Sequence, residues 1–383
     1  MKKVSLILCG LFYVALLLFS CHPKNEAPPS NPTATPMPTP PPSVALFPVK
    51  AGEKWGYIDA GGKIVIKPQF EGAAAFAGTR AGVKIKNAWG FIDAAGNVAI
   101  APQFAQVGVF SEGLAAVRVA DKYGYVAENG ELAISLTFEI EALRPGSPPA
   151  YPSLDGYRFS EGLAQVKVGN KFGFINPTGK FVINPQFTEV RPFSEGLARV
   201  KTDKSWGYID HAGTLVIPAQ FDVAGDFHEG LASVSVSEKW GFVDKKGTYV
   251  INPQYESKRL YLDLRTWKAS EKPGRNTAVL VDVSPRFFSG GLAPVCTKNK
   301  WGLVDPTGKM VVAPQFSDLH SFAGDLAAIY LEERWGFIDR TGKLVIAPQF
   351  DEVNDFDRGL AWVRIGKKTG YVDATGKFVW GPS

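Results

Sequence analysis

Lys54-Trp55-Gly56-Tyr57-Ile58-Asp59 is one copy of a phrase that returns downstream as Lys239-Trp240-Gly241-Phe242-Val243-Asp244. Aromatic-Gly pairs begin at Trp55, Trp89, Tyr123, Phe172, Trp206, Trp240, Trp301 and Trp335, and Thr369-Gly370 is a degenerate ninth. Neighbouring pairs stand 34 residues apart except after Tyr123 and Trp240, where the gaps widen to 49 and 61. A period of this size means an array in which each unit buries its apolar face only against its neighbours. The pairs Trp55-Gly56, Trp89-Gly90, Trp206-Gly207, Trp240-Gly241, Trp301-Gly302 and Trp335-Gly336 are therefore read first as structural.

Working outward from the pair, Leu stands nine residues upstream in eight units, as in Leu197-Ala198-Arg199-Val200-Lys201, whose alternation is that of a half-buried strand. The aromatic-Gly segment is a second strand, and a Gly inside a strand marks close approach of another backbone or ring. Asp then precedes by three residues a Gly found in every unit, Asp59 before Gly62 for example, the signature of a type I turn closing a hairpin. A third strand such as Leu344-Val345-Ile346 runs into Pro348-Gln349-Phe350, where the proline cannot donate to a ladder and makes the strand end or become an edge. The expected fold is all-β: a tandem array of nine units of about three short antiparallel strands, starting at 46, 80, 114, 163, 197, 231, 292, 326 and 360. Four-stranded propeller blades need about 40 or more residues. The 34-residue period therefore points to an open, curved array, with a closed propeller-like ring as the alternative.

The units resemble the bacterial WG-repeat (KWG) family across residues 46–383. Unit three departs most, with Tyr123 for Trp, Ala127 for Asp and Leu136-Thr137 for Pro-Gln. The resemblance implies a β-rich interaction scaffold with no shared catalytic residues.

Ahead of the array, residues 1–20 combine Lys2 and Lys3 with an apolar stretch from Val4 to Phe19, the layout of an export signal too short for a comfortable membrane span. The segment ending Leu18-Phe19-Ser20-Cys21 resembles the lipobox of bacterial lipoproteins, which implies cleavage before Cys21 and lipidation of its thiol; Phe19 departs from that pattern. An ordinary signal peptide or an uncleaved anchor is the alternative. Residues 21–45 then form a Pro-rich linker that favours extended polyproline conformations and spans up to roughly 60–70 Å. The formal net charge of +5 falls to +3 without Lys2 and Lys3, too small an excess for a nucleic-acid footprint. Cys296 is alone in the array and reads as a weakly packed or half-buried thiol.

Both insertions occupy the connector after the Pro-Gln-Phe segment, within 139–158 and 256–287. The first reads as an irregular loop. The second reads as a hairpin, with Leu260-Tyr261-Leu262-Asp263-Leu264 and Ala278-Val279-Leu280-Val281-Asp282-Val283 flanking a turn near Lys272-Pro273-Gly274. Insertions of this kind decorate a binding face or are tolerated surface drift. The candidate binding residues are Tyr261, Arg265 and Trp267 in the second insertion and the off-column, exposed Trp362. No catalytic constellation, metal set or cofactor motif interrupts the repeat: His22, His211, His228 and His320 lack ligand spacing, while turn formation accounts for the Asp column and for Glu112, Glu161, Glu195 and Glu229. The expected function is a non-enzymatic, lipid-anchored scaffold at the outer membrane or cell surface that binds an envelope protein. The alternative is a cell-wall or glycan-binding module using exposed aromatics.

Overall fold

The computed structural model describes residues 45–139, 154–263, 278–283 and 286–382, with the backbone alone for 258–263 and 278–283. The described residues of the array form nine small antiparallel sheets, one per unit, and a separate two-stranded hairpin. In the fifth unit Ala198–Thr202, Ser205–Ile209 and Leu215–Phe221 make a meander in which Val200 faces Gly207 and Trp206 faces Phe221. Between Trp206↔Phe221 and Tyr208↔Ile217 the register jumps, so Gly207 alone opposes Pro218, Ala219 and Gln220. The bulged backbone lies across the glycine. A Cβ on Gly207 would stand 2.6 Å from the Ile217 carbonyl oxygen and 2.7 Å from the Ala219 nitrogen. Gly56, Gly90, Gly241, Gly302 and Gly336 meet the same obstruction, so the column is glycine for want of space. The proline segment does not end the strand. It bulges along an edge, where the missing N–H removes no ladder bond.

The Asp turn has the expected form. Asp59 accepts the Gly62 N–H at its carbonyl, and its carboxylate accepts from the backbones of Gly61 and Lys63. Gly62 itself sits at φ +84°, in the left-handed region that favours glycine.

Six sheets have a fourth strand that the sequence does not announce. Its source is the connector directly after the Pro-Gln-Phe segment, which joins the following sheet: Gly72–Ala73, Gln106–Ser111, Glu189–Val190, Val223–Ala224, Asp318–Leu319 and Glu352–Val353. Sheets one, four and seven keep three strands, and the fourth and seventh are those that follow the insertions.

Nine hydrophobic clusters hold these sheets, each drawn from two neighbours. Between the fifth and sixth, Trp206, Tyr208, Ile217 and Phe221 from one face meet Ala232, Val234 and Val243 from the opposite face of the next sheet. Strand alternation produces this two-faced design, placing Trp206 and Tyr208 on one side and Gly207 and Ile209 on the other. The ninth cluster decides the architecture. Phe47, Val49 and Ile58 of the first sheet pack with Leu360 and Tyr371 of the last. The Phe47 and Tyr371 rings lie 5.5 Å apart, the Arg358 guanidinium stands 5.3 Å from the Phe47 ring, and the Tyr371 hydroxyl donates to the Pro48 carbonyl at 3.1 Å. Burial pushes that hydroxyl up to about 12, which keeps it a neutral donor.

Nine sheets joined by nine interfaces make a closed propeller-like ring, the alternative arrangement, and not the open array. A 34-residue unit suffices for a closed ring because the fourth strand is only two residues long in five of the six sheets that have it.

Candidate functional site

The repeat tryptophans belong to the packing. Trp206, Trp240 and Trp301 are buried, while Trp55, Trp89 and Trp335 are half-buried against the same inter-sheet clusters. Trp362, expected to be exposed, is also half-buried. It lies in the cluster that joins the ninth sheet to the first, because ring closure covers a face that an open array would leave in water. Cys296, expected to be half-buried, is fully buried opposite Trp301. Cys21, Arg265 and Trp267 lie outside the described residues. Tyr261 falls on the strand Lys258–Asp263, which pairs with Ala278–Val283 in the expected hairpin, Tyr261 opposite Leu280. Trp362 thus belongs to the ninth sheet and Tyr261 to the separate hairpin, and the described residues do not gather the candidates into one site. Of the first insertion, residues 154–158 carry a one-turn 3-10 helix, Asp155–Tyr157, between the buried Leu154 and Phe159.

The glutamate column does more than form turns. The Glu195 carboxylate accepts the backbone N–H groups of Glu229 at 2.6 Å and Gly230 at 2.9 Å, in the equivalent turn of the next unit. Glu112 reaches Gly162, Glu161 reaches Gly196, and Glu229 reaches both Gly290 and Gly291. Beside three of them a serine hydroxyl donates forward to a carbonyl of the following unit, Ser111 to Phe159, Ser160 to Phe193 and Ser194 to Phe227, while His228 stands beside Glu229. Burial works against the Glu195 charge, but hydrogen bonds from Gly230, Lys245 and Glu229 outweigh it and hold its pKa below the ordinary carboxylate value. The run covers the four interfaces from unit three to unit seven, including both that the insertions interrupt. The recurrence of Glu-Gly-Leu in consecutive units was the available signal.

The histidines stay apart. His211 stacks on Phe193 and meets Glu161 at 3.1 Å, His228 stacks on Phe287, and His320 meets Asp355 at 2.6 Å. Among the described residues no group of three or more His, Cys, Asp or Glu is placed to hold a metal ion.

The repeat opens at the sixth unit, beside the hairpin insertion. There a cleft of 530 Å³ is lined by Asp222, Ser235, Glu238, Lys239, Trp240 and Glu256, together with Val223, Ser237 and Ser257. The Trp240 indole donates to the Ser257 hydroxyl at 2.7 Å, the residue before the hairpin strand. Glu256 accepts the Lys298 N–H of the seventh unit at 3.0 Å, and Asp222 accepts the Ser237 N–H at 2.8 Å. Three carboxylates against one ammonium give the cleft an acidic lining over an indole. Nothing in the sequence marks it, since its residues look like ordinary members of their columns.

The WG containing repeat profile matches residues 55–87, 89–123, 147–172, 172–205, 206–240, 240–257, 301–334 and 335–368. No curated protein matches the sequence. Among solved structures, the crystal structure of a eukaryotic initiation factor overlaps with a TM-score of 0.59 at 10% identity, covering 88% of this chain and 95% of that one. What is shared at that identity is the fold. Dihydro-heme d1 dehydrogenase NirN overlaps at 0.41, with 12% identity over 91% of this chain and 74% of the other. PorZ, a surface component of the type-IX secretion system of Porphyromonas gingivalis, overlaps at 0.32, with 9% identity over 77% and 41%.

Proposed function

The chain belongs to the WG-containing repeat family, and from that premise we propose that it is a non-enzymatic ring scaffold that holds a partner protein at the sector formed by the sixth unit and the 256–287 hairpin. One observation carries the reading: the repeated side chains are engaged in joining sheet to sheet, and the regular pattern gives way to an open, polar cleft beside the longer insertion. Scaffolds of repeated units bind through such departures, because a specific contact must differ from one unit to the next. The reading extends to location. Residues 1–21 and the Pro-rich linker support an envelope protein anchored through lipid on Cys21 and lifted from the membrane on a stalk. Glycan binding has less support, since platforms for sugar need open rings and no tryptophan among the described residues is exposed.

Two experiments test the proposal. Replacing residues 258–285 by a short Gly-Ser linker is expected to leave the circular dichroism spectrum and melting temperature unchanged while removing a protein that the full chain retains from an envelope extract. Retention of the same proteins by both forms would end the scaffold reading at this sector. Metabolic labelling with a palmitate analogue, present in the parent and lost in Cys21→Ala, tests the anchor separately.

A further inference from the structure

The repeat supplies its own controls for what the cleft accepts. Five residues before the aromatic of each pair, six units carry a cation: Lys50, Lys84, Arg118, Lys167, Lys201 and Arg364. In the fifth unit Lys201 lies directly across the ladder from Trp206, its ammonium 5.7 Å from the ring centroid and 3.1 Å from Glu189 on the adjoining strand. Lys167 stands 5.6 Å over the Phe172 ring in the fourth unit. Arg118 reaches Gln106 at 2.8 Å, and Arg364 binds Glu352 through two nitrogens. Over the Phe172 and Trp206 rings the fold places a lysine, and at Trp206 ring quadrupole and carboxylate act on it together.

The sixth unit keeps the register and loses both partners. Ser235 stands across from Trp240 where Lys201 stands across from Trp206, and Val223 replaces Glu189 beside it. The shortened side chains leave the 530 Å³ opening, and acids enter its wall from other positions: Asp222, Glu238 and Glu256. Ser235 is 4% exposed, lines the opening, and its hydroxyl has no hydrogen-bond partner among the described residues.

We propose that this cleft receives a lysine side chain from the partner protein, the ammonium entering from outside where the fourth and fifth units supply it from within. The methylene stem packs on the indole side of the cleft. The ammonium meets the carboxylates, with the Ser235 hydroxyl as a further acceptor. This inference rests on the scaffold reading and gives its contact a chemistry.

The test follows the Trp240 indole N–H by NMR in the full chain during titration with Nα-acetyl-lysinamide, Nα-acetyl-norleucinamide and pentylamine. The lysine probe is expected to shift the signal with a Kd on the order of 1 mM, the scale for one side chain. Norleucinamide, with a similar stem and no charge, is expected to do nothing. Pentylamine separates a free amine from a peptide-borne one: binding at least tenfold weaker than lysinamide supports a protein-borne lysine, and equal or tighter binding overturns it in favour of a small amine. Ser235→Lys, which restores the residue type of the fifth unit, is expected to abolish the shift at unchanged melting temperature. Glu256→Gln keeps an acceptor for the Lys298 N–H and is expected to weaken binding about tenfold through the lost charge, roughly 1.4 kcal/mol. Should Ser235→Lys not fold, Glu256→Gln decides the matter alone. Undiminished binding in a folded Ser235→Lys protein or in Glu256→Gln, or an equal response to norleucinamide, overturns the proposal. If the lysine probe fails while hairpin replacement still strips the partner, the cleft assignment falls and the scaffold stands. The reverse pattern would sink the scaffold alone.

Discussion

Phe47 and Tyr371 come from opposite ends of the array, so a thermodynamic coupling between them measures closure directly. Phe47 is 2% exposed, Tyr371 is 8% exposed, and their rings are 5.5 Å apart. Truncating a buried Phe to Ala costs about 3–5 kcal/mol, from lost transfer energy and the cavity left behind. Tyr371→Ala removes a comparable ring and also strands the Pro48 carbonyl, which now accepts its hydroxyl at 3.1 Å. Because each truncation removes the partner's contact, the double variant should cost less than the sum of the singles. An aromatic pair contributes about 0.5–1.5 kcal/mol beyond area burial, and contacting residues couple by about 0.5–3 kcal/mol. We therefore expect a coupling of about 1–2 kcal/mol, read from urea unfolding followed by tryptophan fluorescence and circular dichroism together. Coincidence of the two probes licenses the two-state reading. Coupling below about 0.5 kcal/mol, within the additivity of distant sites, would refute closure, as would a Phe47→Ala cost under 1 kcal/mol.

Three further outcomes follow from the packing. Gly207→Ala drives a methyl into the bulged backbone at 2.6–2.7 Å and should cost more than about 3 kcal/mol by chemical denaturation, whereas Gly113→Ala, with open space around it, should cost less despite its φ of +80°. Glu195→Ala removes the acceptor of two backbone N–H groups at a partly exposed site, and a loss of about 1–2 kcal/mol is expected in the same assay, with Glu195→Gln milder. Glu195, Glu352, Asp305, Asp339 and Asp373 all have pKa values lowered in the fold. Their stabilisation is complete above the ordinary carboxylate range, about pH 4, and disappears as pH falls through the depressed native values. The melting temperature should therefore be flat from pH 7 to 5 and fall steeply below 4, and a melting temperature that rose on acidification would contradict this.

Much of one unit was legible in the chain. Asp59 to Gly62 named its own turn, because Asx chemistry and a left-handed glycine are local requirements. Gly56 and its equivalents announced a close approach. The hairpin of the second insertion was written in its flanking apolar runs and returned as Lys258–Asp263 against Ala278–Val283. Other features left little trace. A strand of two residues, such as Val223–Ala224, is too short to show alternation. Closure was hidden for a different reason: Phe47 offers the last unit the face that each unit offers its predecessor, so nothing local separates a ring from an open row. The cleft was obscured likewise, since Ser235 is unremarkable in a strand and gains meaning only beside Lys201.

The crossing from the sixth sheet to the seventh shows how little the ring depends on its own thread. There Trp240, Phe242 and Ile251 share a cluster with Phe288, Ala293 and Val295. Glu229 grips Gly290 and Gly291, and Glu256 grips the Lys298 amide. Covalent continuity between Asp263 and Ala278 is therefore expected to be dispensable for assembly. Two separately expressed fragments divided there should complement each other into one whole.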